Sequence, residues 1–279
     1  MSNVRDYYDA NTWKWLVSGT AGALHRELWG PGTSDRNDAV HYVHRRVLDR
    51  VTELCPSGRA RVVDFGCGVG AGAVYLAEHI AADVHGISLS PRQVAHAERR
   101  ARQRQSALAG TCRFYEADFC RLPWPVVERV AGADLVYAIE SFVHADSATA
   151  FFDQVAQVLR PGGLLVLVDD VLTSSGVQAD GHPAIAEFQT GWQVGSLLSA
   201  PRAVELAAAS GLALVSRTSL SGYMRLGRPR DRVVTALQPV LRHGQRYSHW
   251  CRSLVGGDAL QRCHRAGLLD YDELVLVRT

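Results

Sequence analysis

Lysine is all but missing from this chain. Lys14 is the single one, and arginine carries nearly all the positive charge. That skew reads as the codon bias of a GC-rich bacterial genome rather than as chemistry. Charge of one sign is missing too: 30 basic residues face 28 acidic ones, a net charge of +2, so no strong field draws the chain to nucleic acid or to a membrane. No apolar run approaches the roughly 20 residues that a spanning helix needs. The start, Met1-Ser2-Asn3-Val4-Arg5-Asp6, lacks the apolar region of a signal peptide. The six cysteines, at 55, 67, 112, 120, 251 and 263, lack the density of a disulfide scaffold. The spacings among His249, Cys251, Cys263 and His264 fit no common zinc finger, and no metal is expected. There is no internal repeat and no low-complexity tract. These absences leave a cytoplasmic, reduced protein as the expectation.

What is present is ordinary in bulk and specific in detail. At 279 residues, 47% hydrophobic and 21% charged, the chain suits one large domain with a full core and a lid. It is organised around Val62-Val63-Asp64-Phe65-Gly66-Cys67-Gly68-Val69-Gly70-Ala71-Gly72. An apolar run with β-branched residues ends in an acid, and four glycines at alternate positions follow. A helical pattern starts at Val74. This is a strand, a tight turn and a helix N-terminus, whose unpaired N–H groups and partial positive charge receive a ligand. Glycine accepts the left-handed conformations such a turn demands.

Around this turn, apolar strands alternate with helices. Val40, Val43, Val47, Leu48, Val51 and Leu54 form a helical stripe starting from Ser34 as N-cap. Strands are expected at 61–65, 83–87, 111–115, 133–139, 164–168, 212–220 and 273–277. Ser90-Pro91 reads as an N-cap followed by proline at the first helical position. Residues 147–159 and 203–210 read as helices. Arg160-Pro161-Gly162-Gly163 reads as a turn. Strands apolar throughout, alternating with helices, mean an α/β fold with a doubly wound, mostly parallel, seven-stranded sheet covered on both faces. Polar residues gather past the strands' C-terminal ends, where such sheets place their ligand.

The chain divides into an aromatic N-terminal lid, 1–33, and a domain, 34–279, with cap inserts at 173–200 and 222–270. Tyr7, Tyr8, Trp15, His25 and Trp29 from the lid and Trp192 from the first insert are candidate pocket walls, since Tyr and Trp suit a surface partly wet and partly apolar. His41 and His44 fall on a helix flank and are expected to be solvated.

Gly66-x-Gly68-x-x-Ala71 satisfies the dinucleotide fingerprint on its own. Two features oppose that reading. Asp64 is a carboxylate where a pyrophosphate would be repelled and an ammonium would be welcomed. At the end of the second strand, where NAD ribose is held by an acid, Ile87-Ser88-Leu89-Ser90 stands instead. The set Asp64-x-Gly66-x-Gly68, Asp118 after the third strand and the Pro161-Gly162-Gly163 turn resembles the class I S-adenosylmethionine-dependent methyltransferases over roughly residues 60–170. Three further runs resemble the sterol, tocopherol and related small-molecule methyltransferases: Gly86-Ile87-Ser88-Leu89-Ser90-Pro91-Arg92-Gln93, Ile139-Glu140-Ser141-Phe142-Val143-His144, and His25 to Gly32. Tyr7-Tyr8-Asp9 and Gly256-Gly257-Asp258-Ala259-Leu260-Gln261 look like actinobacterial enzymes of specialised metabolism, some of which methylate a terpenoid double bond.

The resemblance implies a Rossmann-like fold and S-adenosylmethionine as cofactor, with S-adenosylhomocysteine as product. Asp64 would lie near the methionine amine, with Gly66, Cys67 and Gly68 beneath methionine and ribose. Ser88, Leu89 and Gln93 would hold the ribose by neutral hydrogen bonds, and Asp118, Phe119 and Ile139 would surround the adenine side. The reaction it suggests is methyl transfer to carbon of a prenyl or terpenoid double bond, through a cation screened by Tyr7, Tyr8, Trp15, Trp29, Phe142 or Trp192. The alternative is O- or N-methylation of a phenol or amine. After alkene methylation Glu140 or His144 would take the proton, and for a phenol or amine His144 would be the base. The expected partner is a small hydrophobic molecule, with neither nucleic acid nor membrane. A homo-oligomer is left open, since an aromatic arm can close over a neighbour as well as over its own pocket.

Overall fold

The computed structural model describes residues 25–56, 58–179 and 181–279. The expected lid residues Tyr7, Tyr8 and Trp15 lie outside them. In chain order the elements are α1 (Arg36–Leu54), β1 (Ala60–Phe65), α2 (Ala71–His79), β2 (Ala82–Ser88), α3 (Pro91–Gln103), β3 (Thr111–Glu116), α4 (Trp124–Val130), β4 (Ala133–Ile139), α5 (Ala148–Val158), β5 (Leu159–Leu172), α6 (Ser174–Gln178), α7 (Pro183–Trp192), α8 (Ala200–Ala209), β6 (Leu212–Ser219), α9 (Pro229–Ala236), α10 (Gln238–Gly244), α11 (His249–Arg265) and β7 (Leu269–Arg278).

The sheet runs β3-β2-β1-β4-β5-β7-β6, with β1 to β5 parallel and β7 antiparallel between β5 and β6. Alternate residues of the central strands feed two cores. Val63, Phe65, Val136, Ala138, Leu165 and Leu167 face α5, where Phe151 and Phe152 are buried. Val62, Leu135, Tyr137, Val166 and Val168 face α1 and α2, which contribute Val43, Val47 and Leu76. Both faces are covered, so the strands lack the polar alternation of a half-solvated sheet.

Local chemistry sets the boundaries. The α1 cap is Asp35, whose carboxylate accepts from the Asp38 N–H. Ser34, the expected cap, donates its N–H and hydroxyl to the Asp38 carboxylate instead. At α3 the Ser90 hydroxyl accepts from the Gln93 N–H with Pro91 at the first position, as the sequence indicates. β5 is longer than expected because residues 160–163 stay in the strand as an irregularity in its pairing with β4. Gly163 fits there because a side chain would press on the Ala133 and Arg160 carbonyl oxygens at 3.0 Å. The short α4 has no counterpart in the sequence reading. Its signals are Pro125 in the first turn and the buried Val127 and Val130.

Above the C-terminal strand ends sits a cap built from α6, α7 and α9 to α11. α7 and α11 meet at Gly191 and Gly256, where a Cβ on Gly191 would come within 2.5 Å of the Gly256 Cα. Residues 25–33 are tied to the cap and to α1. Leu28 bridges Met224, Trp29 N–H donates to the Tyr223 carbonyl at 2.8 Å, and Leu28 N–H donates to the Ala39 carbonyl at 2.9 Å.

Candidate functional site

The turn after β1 is drawn tight by its own backbone. The N–H groups of Gly66 and Cys67 both donate to the Ile87 carbonyl, at 3.0 and 2.9 Å. Gly66, Gly68 and Gly70 have φ of 97°, 51° and 76°. At Gly66 the need is double, since a Cβ there would lie 2.4 Å from the Ser141 Cβ. Ser141 cannot retreat, because its hydroxyl donates to the Phe65 carbonyl at 2.5 Å. Cys67 packs over Gly86, and burial pushes its thiol pKa far up. It is a shaped piece of wall rather than a nucleophile.

Asp64 is buried and accepts a 2.7 Å hydrogen bond from the Tyr137 hydroxyl. Burial raises its pKa to about 7, against the opposing effect of that hydrogen bond. Among the described residues no cation pairs with it. At the end of β2, the Ser88 hydroxyl donates to Gln93 Oε1 at 2.8 Å and accepts from the Ser90 N–H at 3.2 Å. Ser88 therefore orients Gln93, whose buried Nε2 has no acceptor. Leu89 beside them is half-buried. After β3, the Asp118 carboxylate accepts from the Cys120 N–H at 2.8 Å. Phe119 is buried, stacked on Phe65 with centroids 6.0 Å apart. Ile139 closes β4, half-buried. These side chains stand at the C-terminal ends of β1 to β4, across the point where strand order reverses. A buried carboxylate with no counter-cation among the described residues and an orphaned buried amide donor fit a ligand offering an ammonium and a hydroxyl acceptor. S-adenosylmethionine carries both.

The opposite side is built around Glu140, one residue past β4. Its φ is +50°, a left-handed conformation that costs a non-glycine residue about 1–3 kcal/mol. Its Oε1 accepts from the Arg26 N–H and from the Tyr271 hydroxyl, both at 2.9 Å, and lies 3.2 Å from Arg26 Nε. Arg26 also grips Asp170 with both terminal nitrogens, one at 2.8 Å. His264 completes the group by donating to Asp170 at 2.7 Å. Burial alone would raise the Asp170 pKa; Arg26 and His264 hold it well below the usual carboxylate range. Neighbouring Asp169 goes the other way, raised by burial and by Asp170, while accepting from the N–H groups of Val143 and Asp170. The Arg26 guanidinium lies 4.4 Å over the Tyr271 ring.

A cavity of about 420 Å³ opens here, between the N-terminal segment, Glu140 and the cap. Its walls include His25, Arg26, Glu140, Trp192, Met224 and Trp250. That size and mixed lining suit a small organic molecule. Trp192 is anchored by its Nε1–H, which donates to the Ser253 carbonyl at 3.0 Å. His144 does not line that cavity; its Nδ1 lies 3.3 Å from the Gln193 carbonyl, to which it donates. Burial lowers its pKa.

Some candidates sit elsewhere. Phe142 is buried among Phe151 and Phe152 in the core, beneath the cavity rather than on its wall. Trp29 has its face covered by the Arg225 guanidinium at 3.4 Å. His41 and His44 are not on a solvated flank: His44 is buried, 3.1 Å from His25 Nε2 and 2.9 Å from His41 Nδ1, and His41 stacks on Tyr75. The sequence reading missed Arg26 and Tyr271. Arg26 follows His25 within a run already singled out, whereas Tyr271 carried no signal beyond its place at the start of the last strand.

Comparison with known proteins agrees with this geometry. Residues 63–167 match the family described as a methyltransferase domain. An O-methyltransferase of Pyrenophora dematioidea is 30% identical over 207 residues, 74% of this chain and 73% of that one. Methyltransferase GfsG of Streptomyces halstedii is 31% identical, covering 80% of this chain and 77% of its own. Geranyl diphosphate C-methyltransferase from Streptomyces coelicolor A3(2) shares the fold at a TM-score of 0.67 and 16% identity, over all of this chain and 97% of that one. The chain belongs to the class I S-adenosylmethionine-dependent methyltransferases that act on small-molecule metabolites.

Proposed function

We propose that the chain methylates a hydroxyl oxygen of a hydrophobic small molecule. The observation that carries this is Arg26. Its guanidinium lies on the cavity wall beside Glu140, and it already occupies the face of Tyr271. Paired with Glu140 and Asp170 it adds no net positive charge, but it closes the Tyr271 ring, an aromatic face that a carbocation would otherwise use.

S-adenosylmethionine, when bound, supplies a methyl group on a sulfonium. Asp64 would hold its ammonium and Gln93 Nε2 would donate to a ribose hydroxyl, with the glycine turn keeping side chains clear of it. Glu140 fixes Arg26 in place, with its Oε1 already engaged. Glu140, on the cavity wall, takes the hydroxyl proton as the oxygen attacks. The acceptor oxygen would exchange its proton for the methyl group, leaving S-adenosylhomocysteine as the other product. Positioning dominates the rate, since the transfer is an in-line displacement.

A second reading is methylation at carbon of a prenyl or terpenoid double bond. Trp192 and Trp250 on the same wall favour it, because aromatic faces screen a cation. Product analysis with a deuterated methyl donor separates the two. A labelled methyl ether supports the proposal, and a labelled methyl on carbon sinks it.

A further inference from the structure

Two helices of the cap are inside out. On α9 and α10 the buried residues are Asp231, Gln238 and Leu241, two of them polar. Both polar side-chain atoms of Gln238 are buried without a partner. Among the residues turned to solvent are the large apolar Val233, Leu237 and Val240, at 59%, 49% and 70% exposure. Helical hydrogen bonds run through the junction, with Leu237 N–H on the Val233 carbonyl at 3.1 Å and Leu241 N–H on the Leu237 carbonyl at 3.0 Å. The three residues, at i, i+4 and i+7, therefore form one stripe. Tyr247 and Trp250, 84% and 48% exposed, follow it.

The stripe lies in a basic part of the chain. Residues 222–252 hold seven arginines and a single carboxylate, Asp231, which is buried against Arg228. Arg232 and Arg246 are exposed and make no ion pair among the described residues. Two copies meeting through this face would bring like charges together, which disfavours a second copy as its partner. An acidic protein would meet the arginines but has no evident call for the exposed apolar side chains of Val233, Leu237 and Val240, whereas an anionic bilayer surface answers both. Trp250 and Leu226 also line the acceptor cavity, so a hydrophobic molecule dissolved in lipid would reach it without crossing water.

We propose that this face seats the protein on an anionic lipid surface, with the apolar stripe among the headgroups and the arginines on lipid phosphates. This is attachment to one leaflet. Among the described residues no helix is long and apolar enough to cross a membrane. The proposal holds whichever atom of the acceptor is methylated.

The test is co-sedimentation of the full chain with vesicles of phosphatidylcholine alone and of phosphatidylcholine mixed with phosphatidylglycerol. Association about tenfold stronger with the anionic vesicles, and released by high salt, is expected. Val240→Asp and the double change Arg232→Glu/Arg246→Glu should each weaken it about tenfold while S-adenosylhomocysteine binding is unchanged. Tyr247→Ser, at a side chain with no core contact to lose, serves if either variant fails to fold. No association with anionic vesicles, equal association with neutral ones, or association surviving these changes overturns the proposal. So does a dimer that Val240→Asp dissolves, or an acidic protein bound by this face, in the absence of vesicle binding.

Discussion

Tyr137 and Asp64 sit side by side in the pairing of β4 with β1, and the hydroxyl of one donates to the carboxylate of the other at 2.7 Å. The pair is buried, and the carboxylate titrates near pH 7. A cofactor ammonium binds only the ionised form well. Below pH 7 binding must displace a proton, so cofactor affinity should fall about tenfold per pH unit there and level off above. Calorimetry in buffers of different ionisation enthalpy reads the proton release directly. Asp64→Asn should abolish the break in the profile, and Tyr137→Phe should move it to higher pH. The free protein should behave oppositely. Because the folded pKa is raised, this group's contribution to stability improves as pH falls from 7 toward the unfolded carboxylate range. A flat affinity profile across pH 6–8 would remove Asp64 from the ammonium site.

Arg26→Met leaves Asp170 with His264 alone and strips the cation from Glu140. Breaking such a buried pair costs about 3–5 kcal/mol. Urea denaturation should show this as a lower midpoint at an unchanged slope. Arg26→Lys should recover only part of it, since one ammonium cannot span both carboxylates. A loss below about 1 kcal/mol would mean that the network is solvated and weak.

Glu140→Gln should lower kcat by about 10²–10⁴ while S-adenosylhomocysteine affinity is unchanged. Wild-type kcat in Glu140→Gln would assign the proton to another group.

Gly66→Ala carries two penalties, a φ of +97° and a Cβ that would lie 2.4 Å from that of Ser141. A stability loss of about 1–3 kcal/mol is expected from the conformation alone, with more from the clash. In a double-mutant cycle, Ser141→Gly should restore the clash component and leave the conformational one. Additive effects would show that the two residues do not press on each other.

The sequence made the sheet legible because its signals are local. The apolar runs at 62–65 and 133–139, the Ser90-Pro91 cap and the glycine turn each declare themselves within a few residues. The cofactor side is legible for the same reason, standing on loops right after strands. The acceptor side is not. Glu140 is completed by Arg26 and Tyr271, 114 and 131 residues away, and no periodicity announces such a meeting. His44 looked solvated because its partners, His25 and His41, belong to a packing that α1 alone does not specify. A net charge of +2 likewise averages away the basic stretch at 222–252.

Gly191 and Gly256 meet main chain to main chain, and Trp192 follows directly, its ring where a Cβ on Gly256 would reach 2.5 Å. The height of the indole over the cavity is therefore gauged by two missing methyl groups rather than by any residue that touches the acceptor. It also packs α7 directly against α11, however far apart they lie in the chain. Relatives that differ at 191 or 256 should accept molecules of different bulk behind unchanged catalytic side chains.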